Sequence, residues 1–213
     1  HSDSKGRLWF LGLVLQSEGT STQSAVAVHV YQDGIFSPFA MPEALGVGRI
    51  YSFAEGVDGT LWFGTIGGIA RLRDDEWTRW TEAGSSRLRA GEWTPWNTEQ
   101  ALEVDRIFVL AVGIDGRLWF GDEKEGLGTI DPEDTPLYFT TKDGLINNQA
   151  RDLDVGADGT LWLGTRGGLG SYREGVWSRF GRNTGIVSGD LWPVAVRGDR
   201  VYAGTAGEGT YIL

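Results

Sequence analysis

DGTLWLGTRGGLGSYREGVWSRF, residues Asp158–Phe180, is the clearest copy of a phrase that recurs along the chain. Its first eight residues return as DGTLWFGT at Asp58–Thr65 and as DGRLWFGD at Asp115–Asp122. Shorter copies read KGRLWF at Lys5–Phe10 and DRVYAGT at Asp199–Thr205. The glycines at positions 64, 121, 164 and 204 are 57, 43 and 40 residues apart. Such a period indicates a repeat protein in which each repeat is one supersecondary unit.

One repeat reads as four short antiparallel strands. Ala150–Val155 alternates apolar and polar residues, as a half-buried strand does. Asp158-Gly159 is a tight hairpin turn, because glycine tolerates the positive φ that primed turns need. The second, third and fourth strands are predicted at Leu161–Thr165, Leu169–Arg173 and Val176–Phe180. Four strands in about 40 residues are typical of a propeller blade. The sequence therefore predicts an all-β protein, a β-propeller of about five four-stranded blades.

The blades are predicted at roughly 1–45, 46–102, 103–146, 147–186 and 187–213, in a single domain. Counted in this way, the first blade lacks an inner strand and the last lacks an outer strand. Two explanations are open. Either an upstream segment that supplies the missing strands is absent, or an incomplete ring closes through a partner copy. In both cases an exposed sheet edge is expected at the chain ends.

The longest interval between repeats contains a second duplication, within residues 69–101. RLRDDEWTRWTE at Arg71–Glu82 returns 16 residues later as RLRAGEWTPWNTE at Arg87–Glu99. This predicts a duplicated hairpin of third and fourth strands, with the surplus copy projecting from the rim. That copy would expose either Trp77 and Trp80 or Trp93 and Trp96. The spacing of three between these tryptophans departs from strand alternation and predicts a bulge in the outer strand.

Composition narrows the classes of function. The chain has 213 residues, 33 glycines, no cysteine and a net charge of −10. A net-acidic surface repels phosphate backbones, so nucleic acid is not an expected partner. Disulfides and thiolate metal sites are excluded, which suits a periplasmic or extracellular protein without requiring one. No apolar run reaches the length of a membrane span, so direct membrane insertion is not expected.

Residues that invite a chemical role have simpler explanations. Tryptophans recur at one position of the phrase, at 9, 62, 119 and 162, and are expected to pack between blades rather than to stack on sugars. The aspartates before glycine, at 58, 115 and 158, are expected to shape hairpin turns rather than to bind calcium. His29 is the one internal histidine, so a propeller lyase or hydrolase is the least supported alternative. No cofactor, metal site or catalytic residue is predicted.

Polar side chains mark one end of the strands, where ligands of propellers bind at the central channel. Four positions directly precede the inner strands: Arg49, Arg106, Gln149 and Asp190. Four more follow second strands: Asp122, Lys124, Arg166 and Glu208. These side chains are expected to converge on a small polar ligand, such as an oligosaccharide. The alternative is a protein-interaction scaffold that uses the rim hairpin Trp77–Trp96, because exposed tryptophan and arginine are common interface anchors.

The combination D-G-L-x-x-N, then D-G-x-L-W-x-G-T-x-x-G-L, resembles the two-component-regulator propeller repeat. The matching residues are Asp143, Gly144, Leu145, Asn148, Asp158, Gly159, Leu161, Trp162, Gly164, Thr165, Gly168 and Leu169. The resemblance extends along nearly the whole chain, with departures at Asp122, Tyr202 and Ala203. It implies a propeller from the periplasmic sensor region of a hybrid histidine kinase, often carbohydrate-responsive. On this resemblance we expect a non-enzymatic, ligand-sensing propeller.

Overall fold

The described part of the chain forms five small antiparallel sheets in a computed structural model. The residues that the structure describes are 3–18, 21–39, 41, 49–82, 84–89, 92–97, 102, 106–121, 124–186 and 189–213. Side chains of 13–27, 84–85, 88–89 and 92–97 are not among them. The predicted fold class is confirmed: the protein is an all-β, five-bladed propeller built from these sheets.

The strands follow one another in each sheet in chain order. Sheet 1 contains β1 (Leu8–Glu18), β2 (Ser21–Gln32) and β3 (Ile35–Pro38). Sheet 2 contains β4 (Ile50–Glu55), β5 (Leu61–Thr65), β6 (Gly68–Arg73), β7 (Glu76–Thr81), β8 (Gly84–Arg89) and β9 (Glu92–Asn97). Sheet 3 contains β10 (Val109–Val112), β11 (Leu118–Gly121), β12 (Leu127–Ile130) and β13 (Pro136–Phe139).

Sheet 4 contains β14 (Ala150–Val155), β15 (Leu161–Thr165), β16 (Gly168–Arg173) and β17 (Val176–Phe180). A 3-10 turn at Arg182–Thr184 leads to sheet 5, with β18 (Leu191–Arg197), β19 (Arg200–Thr205) and β20 (Thr210–Ile212). The chain divides into two compact units. Residues 1–55 and 59–106 form the first, with sheets 1 and 2, and residues 56–58 and 107–213 form the second, with sheets 3 to 5. The predicted blade bounds and single domain stay predictions.

The Leu-Trp-Phe phrase gives each second strand two different faces. We call the side that carries its first and third residues the Leu/Phe face, and the side that carries the middle residue the Trp face. In the first unit, the Trp9 ring on sheet 1 lies 4.7 Å from the Phe53 ring and 6.3 Å from the Phe63 ring of sheet 2. The Leu/Phe face of sheet 2 therefore packs on the Trp face of sheet 1.

The second unit repeats this packing twice. Leu161 and Leu163 of sheet 4 share a core cluster with Trp119 of sheet 3, and Val201 and Ala203 of sheet 5 share one with Trp162 of sheet 4. The tryptophans at positions 9, 62 and 119 are buried, and the one at 162 is half-buried. Trp9, Trp119 and Trp162 accordingly pack between neighbouring sheets of their own unit, with the indole at 162 less enclosed than the others.

The predicted bulge is absent from β7 but is present in the pairing of β8 with the outermost strand β9, where the register shifts between Ser85 and Ser86, opposite Asn97 and Pro95. β7 pairs with β6 residue by residue from Glu76 to Trp80. Residues three apart on a strand point to opposite sides, and here both sides are filled. The Trp77 ring packs 5.6 Å from Phe63, and the Trp80 ring packs 5.5 Å from Trp62. The spacing of three thus supplies one aromatic ring to each face of a regular strand.

The duplicated sequence lengthens sheet 2 to six strands. β7 pairs with β8 and β8 pairs with β9, so the second hairpin lies at the end of the sheet. Trp77 and Trp80 are both buried, so the interpretation in which this pair is exposed at the rim is wrong. The side chains of Trp93 and Trp96 lie outside the described residues, so a rim interface through them stays a prediction.

Candidate ligand-binding site

Three inner strands contain a bulge just after their first residue. The register of paired residues shifts between Ile50 and Ser52 in sheet 2, between Ala150 and Asp152 in sheet 4, and between Leu191 and Val194 in sheet 5. A bulge leaves an extra residue unpaired and re-aims its side chain. The residues directly after the buried first residue are Tyr51, Arg151 and Trp192.

In the second unit, the bulges of sheets 4 and 5 bring together a cation, a carboxylate and an indole. The Arg151 guanidinium lies 4.9 Å from the centre of the Trp192 ring, a cation–π distance. Its Nε lies 3.5 Å from Oδ1 of Asp190, which ends the loop before β18. Arg151 is mostly buried, whereas Trp192 is 49% exposed. This cluster of Arg151, Asp190 and Trp192 combines donors, acceptors and an accessible aromatic surface.

Carboxylates on β14 hold the two bulged strands beside each other. The Asp152 Oδ2 accepts a hydrogen bond of 2.8 Å from the backbone N–H of Val194. The Asp154 Oδ2 accepts one of 2.7 Å from the backbone N–H of Val196. A glycine makes room for this approach, since a Cβ at Gly164 would lie 3.0 Å from the Leu191 carbonyl oxygen. The phrase glycine therefore lets β18 cross closely over sheet 4.

Two aspartates of this unit, Asp152 and Asp158, have pKa values that are shifted in opposite directions. Burial raises the pKa of Asp152, against the backbone hydrogen bonds from Val194 and Leu153, and the negative charge of Asp154 raises it further. Hydrogen bonds from the backbone N–H and the hydroxyl of Thr160 lower the pKa of Asp158, with a smaller contribution from Arg173. Folding thus disfavours the charged form of Asp152 and favours the charged form of Asp158.

We expect Asp152→Asn and Asp158→Asn to change the pH dependence of stability with opposite signs. A raised pKa in the folded state means that the native protein binds the Asp152 proton more tightly, so stability is lost as pH rises from about 4 through the raised pKa. A lowered pKa means that stability from Asp158 is lost as pH falls below about 4. Melting temperatures between acid and neutral pH measure both effects. Parallel pH profiles for the two variants would contradict the assignment.

The predicted site residues of the first unit lie on either side of one loop residue. Ile66 donates its N–H to the Arg49 carbonyl at 2.9 Å and forms an isolated bridge with Arg106. Both arginine side chains are exposed, and the Arg49 guanidinium lies 5.2 Å from the Tyr51 ring centre. Arg49 and Arg106 are therefore adjacent through their backbones, and a shared ligand for their side chains stays a prediction.

In the second unit, three of the predicted residues lie near the cluster. Asp190 belongs to it, and Gln149 directly precedes the first residue of β14, its N–H donating 2.8 Å to Oδ1 of Asn147. The exposed Arg166 follows β15, and a Cβ at Gly189 would lie 3.2 Å from its carbonyl oxygen. Lys124 and Glu208 are exposed in other loops. Asp122 lies outside the described residues.

Sequence reasoning missed Arg151 and Trp192 because it chose the position before the first inner-strand residue. Strand alternation places the residue after a buried one on the opposite side, and only the bulge gives that residue its place in the cluster. A signal was nevertheless present. The same position holds Tyr51 in β4, Phe108 directly before β10, Arg151 in β14 and Trp192 in β18, all large side chains that can stack.

The turns at the other end of the strands hold their aspartates as hairpin chemistry predicts. Asp115 Oδ1 accepts 3.1 Å from the Arg117 N–H, and Asp158 Oδ2 accepts 2.8 Å from both the Thr160 hydroxyl and Arg173 Nη1. These turns line a cleft of about 340 Å³ in the second unit. Within the described ranges, no three His, Asp or Glu side chains are grouped so as to hold a metal ion.

Part of the sequence matches a known family of repeats. Residues 44–67, which include the bulge of β4 and all of β5, match the family described as two component regulator propeller. This stretch of the chain is therefore similar to a two-component regulator propeller repeat. The resemblance predicted from the repeated phrase is confirmed. Among curated proteins, none matches the sequence. None of the described residues belongs to a helix long and apolar enough to cross a lipid bilayer.

Solved structures share the fold of this repeat protein at low identity. The extracellular domain of a hybrid two component system from B. thetaiotaomicron is 16% identical, with a TM-score of 0.57, and is matched over 100% of this chain and 34% of that one. PorZ, a surface component of the type-IX secretion system of Porphyromonas gingivalis, is 16% identical over 98% of this chain and 30% of its own, with a TM-score of 0.61.

An enzyme has the same fold. Virginiamycin B lyase from Staphylococcus aureus is 14% identical, with a TM-score of 0.57, over 99% of this chain and 77% of its own. The chain thus spans about a third of the sensor and secretion proteins that it resembles. At these identities the likeness shows the fold. The architecture of this chain resembles that of extracellular sensor regions of two-component systems.

Proposed function

We propose that this propeller is a non-enzymatic, ligand-binding module of an extracellular or periplasmic sensor, and that its ligand is a neutral oligosaccharide. The observation that carries the proposal is the half-exposed Trp192, backed by Arg151 at 4.9 Å and flanked by the Asp190 carboxylate. The family match and the extracellular sensor domains with this fold support the same role.

The chemistry of the cluster favours a hydroxyl-rich ligand. An indole face suits the C–H face of a sugar ring because it is apolar and flat. Arginine offers several fixed donors, and a carboxylate offers acceptors, so hydroxyl groups of either orientation find a partner. The ion pair leaves the cluster without net charge, and the acidic chain as a whole disfavours anions. A neutral sugar therefore fits better than a carboxylated or phosphorylated one.

We expect Trp192→Ala and Arg151→Ala each to weaken binding of such a sugar at least about tenfold, which is roughly 1.4 kcal/mol. Titration calorimetry with a panel of neutral hexasaccharides, of the malto, cello, xylo and manno series, gives the measurement. Arg182→Ala is the matched control, because Arg182 is an exposed arginine in the 3-10 turn. This control should bind as the unmodified protein does.

Two results would overturn the proposal. Unchanged affinity in both cluster variants would show that the sugar binds at another place. The absence of binding heat with every sugar of the panel would show that neutral oligosaccharides are not the ligand. The sugar is also recovered after incubation and its mass is measured. Intact sugar supports a binding module, whereas shortened or unsaturated products would establish the enzymatic alternative.

A further inference from the structure

The second unit contains a cleft between sheets 3 and 4, at the end of the strands opposite to the candidate sugar site. Hairpin turns at 113–117, 156–160 and 173–175 surround it. Its volume of about 340 Å³ lies at the small end of the range for ligand pockets, about 300–1,000 Å³. The cleft therefore suits one small molecule, and none of its lining residues belongs to the sugar site.

Charged side chains of both signs line this cleft. Its two guanidinium groups and three carboxylates come from Arg117, Arg173, Asp115, Asp158 and Glu174. Arg173 and Asp158 form a close pair, with Nη1 2.8 Å from Oδ2. The other pairs are looser, since Arg117 Nε lies 3.6 Å from Asp115 Oδ2 and Arg173 Nε lies 3.8 Å from Glu174 Oε1. Both distances exceed hydrogen-bond length, so one guanidinium and two carboxylates can turn to a ligand.

Arg117 departs from the repeated phrase at a position where sheets 2 and 4 hold the buried threonines Thr60 and Thr160. Sheet 1 also has an arginine there, Arg7, but its Nε lies 2.5 Å from the buried carboxylate of Asp3. The same residue type at the same position is thus held by a close ion pair in the first unit. In the second unit it lines a cleft beside an exposed aspartate.

Apolar side chains complete the lining of the cleft. Ile114 is 57% exposed, and its Cδ1 lies 3.2 Å from the Cβ that a side chain at Gly159 would add, so it spans two of the turns. The half-buried Tyr172 packs its ring 5.1 Å from that of Trp119, across the junction of sheets 3 and 4. A molecule in the cleft therefore meets an apolar wall close to charged groups of both signs.

We infer that this cleft binds a free α-amino acid with an apolar side chain. The carboxylate of the amino acid pairs with Arg117, and its ammonium group pairs with Asp115 and Glu174. Its side chain packs on Ile114 and Tyr172. A zwitterion fits this lining better than an ion of one sign does. A lone carboxylate meets three like charges, and a lone amine leaves the Arg117 guanidinium without a close anionic partner.

Titration calorimetry of the full chain with free L-valine, L-leucine, L-isoleucine, L-methionine and L-phenylalanine tests the inference. We expect at least one of them to bind, and Arg117→Thr and Glu174→Gln each to weaken its binding at least about tenfold, as loss of a charged hydrogen bond does. Arg117→Thr is compatible with the fold, because two other sheets hold threonine at this position. Arg200→Thr is the matched control. Arg200 occupies the same position of the phrase on sheet 5, is exposed and does not line the cleft, so affinity should be unchanged.

Two derivatives of the bound amino acid test its two charges separately. The N-acetyl derivative lacks the ammonium group and the methyl ester lacks the carboxylate, so each should bind at least about tenfold more weakly than the free amino acid. Circular dichroism melts confirm that each variant is folded. No binding heat with any of the five amino acids, unchanged affinity in Arg117→Thr or Glu174→Gln, or full affinity of either derivative would overturn the inference. So would an equal loss of affinity in Arg200→Thr.

Discussion

Trp80→Ala is expected to lower the free energy of unfolding by about 3–5 kcal/mol, as truncation of a fully enclosed aromatic ring does. Trp80 has no exposed surface, and its ring lies 5.5 Å from that of Trp62. The Arg71 guanidinium lies 4.9 Å from the Trp80 ring centre and 5.3 Å from that of Trp62. The substitution therefore removes a large apolar contact and one of the two rings over a buried cation.

The size of this loss matters because a domain is held by only about 5–15 kcal/mol in total. Denaturant unfolding followed by circular dichroism gives the measurement. Trp192→Ala is the control, because that indole is 49% exposed and its removal should cost less than about 1 kcal/mol. Similar losses of unfolding free energy in both variants would show that the burial of Trp80 is not the reason for its contribution to stability.

The repeated strands are the part of this structure that the sequence predicts most directly. A strand buries alternate residues, so a phrase in which Leu, Trp and Phe follow one another fills both faces and predicts neighbours on each side. The turn aspartates were predictable for the same local reason. Asp158 accepts hydrogen bonds from Thr160, two residues away, and needs no information from distant parts of the chain.

The candidate site depends on contacts that no local pattern reports. Arg151 and Asp190 are 39 residues apart in sequence and meet because two inner strands, each with a bulge, run side by side. A bulge shifts alternation by one residue, so the strand pattern alone assigns the wrong neighbour to the site. The same argument explains the outer strands. In β7 the spacing of Trp77 and Trp80 predicts an irregularity, but the strand is regular and the spacing arises from two packed faces.

Gly68→Ala is expected to cost roughly 3 kcal/mol or more, the sum of a backbone strain and a steric clash. Gly68 begins β6 with φ of +127°, a conformation that residues with a Cβ rarely adopt. A Cβ built there would lie 2.0 Å from the carbonyl oxygen of Trp80, on a backbone that cannot rotate away. Gly59→Ala, in the turn between β4 and β5, is the matched control, with φ of +80° and no atom within 4 Å of the added Cβ. It should lose only the strain contribution, about 1–2 kcal/mol. Denaturation midpoints for the two variants separate the contributions, and equal losses would show that the approach of Trp80 relaxes without cost.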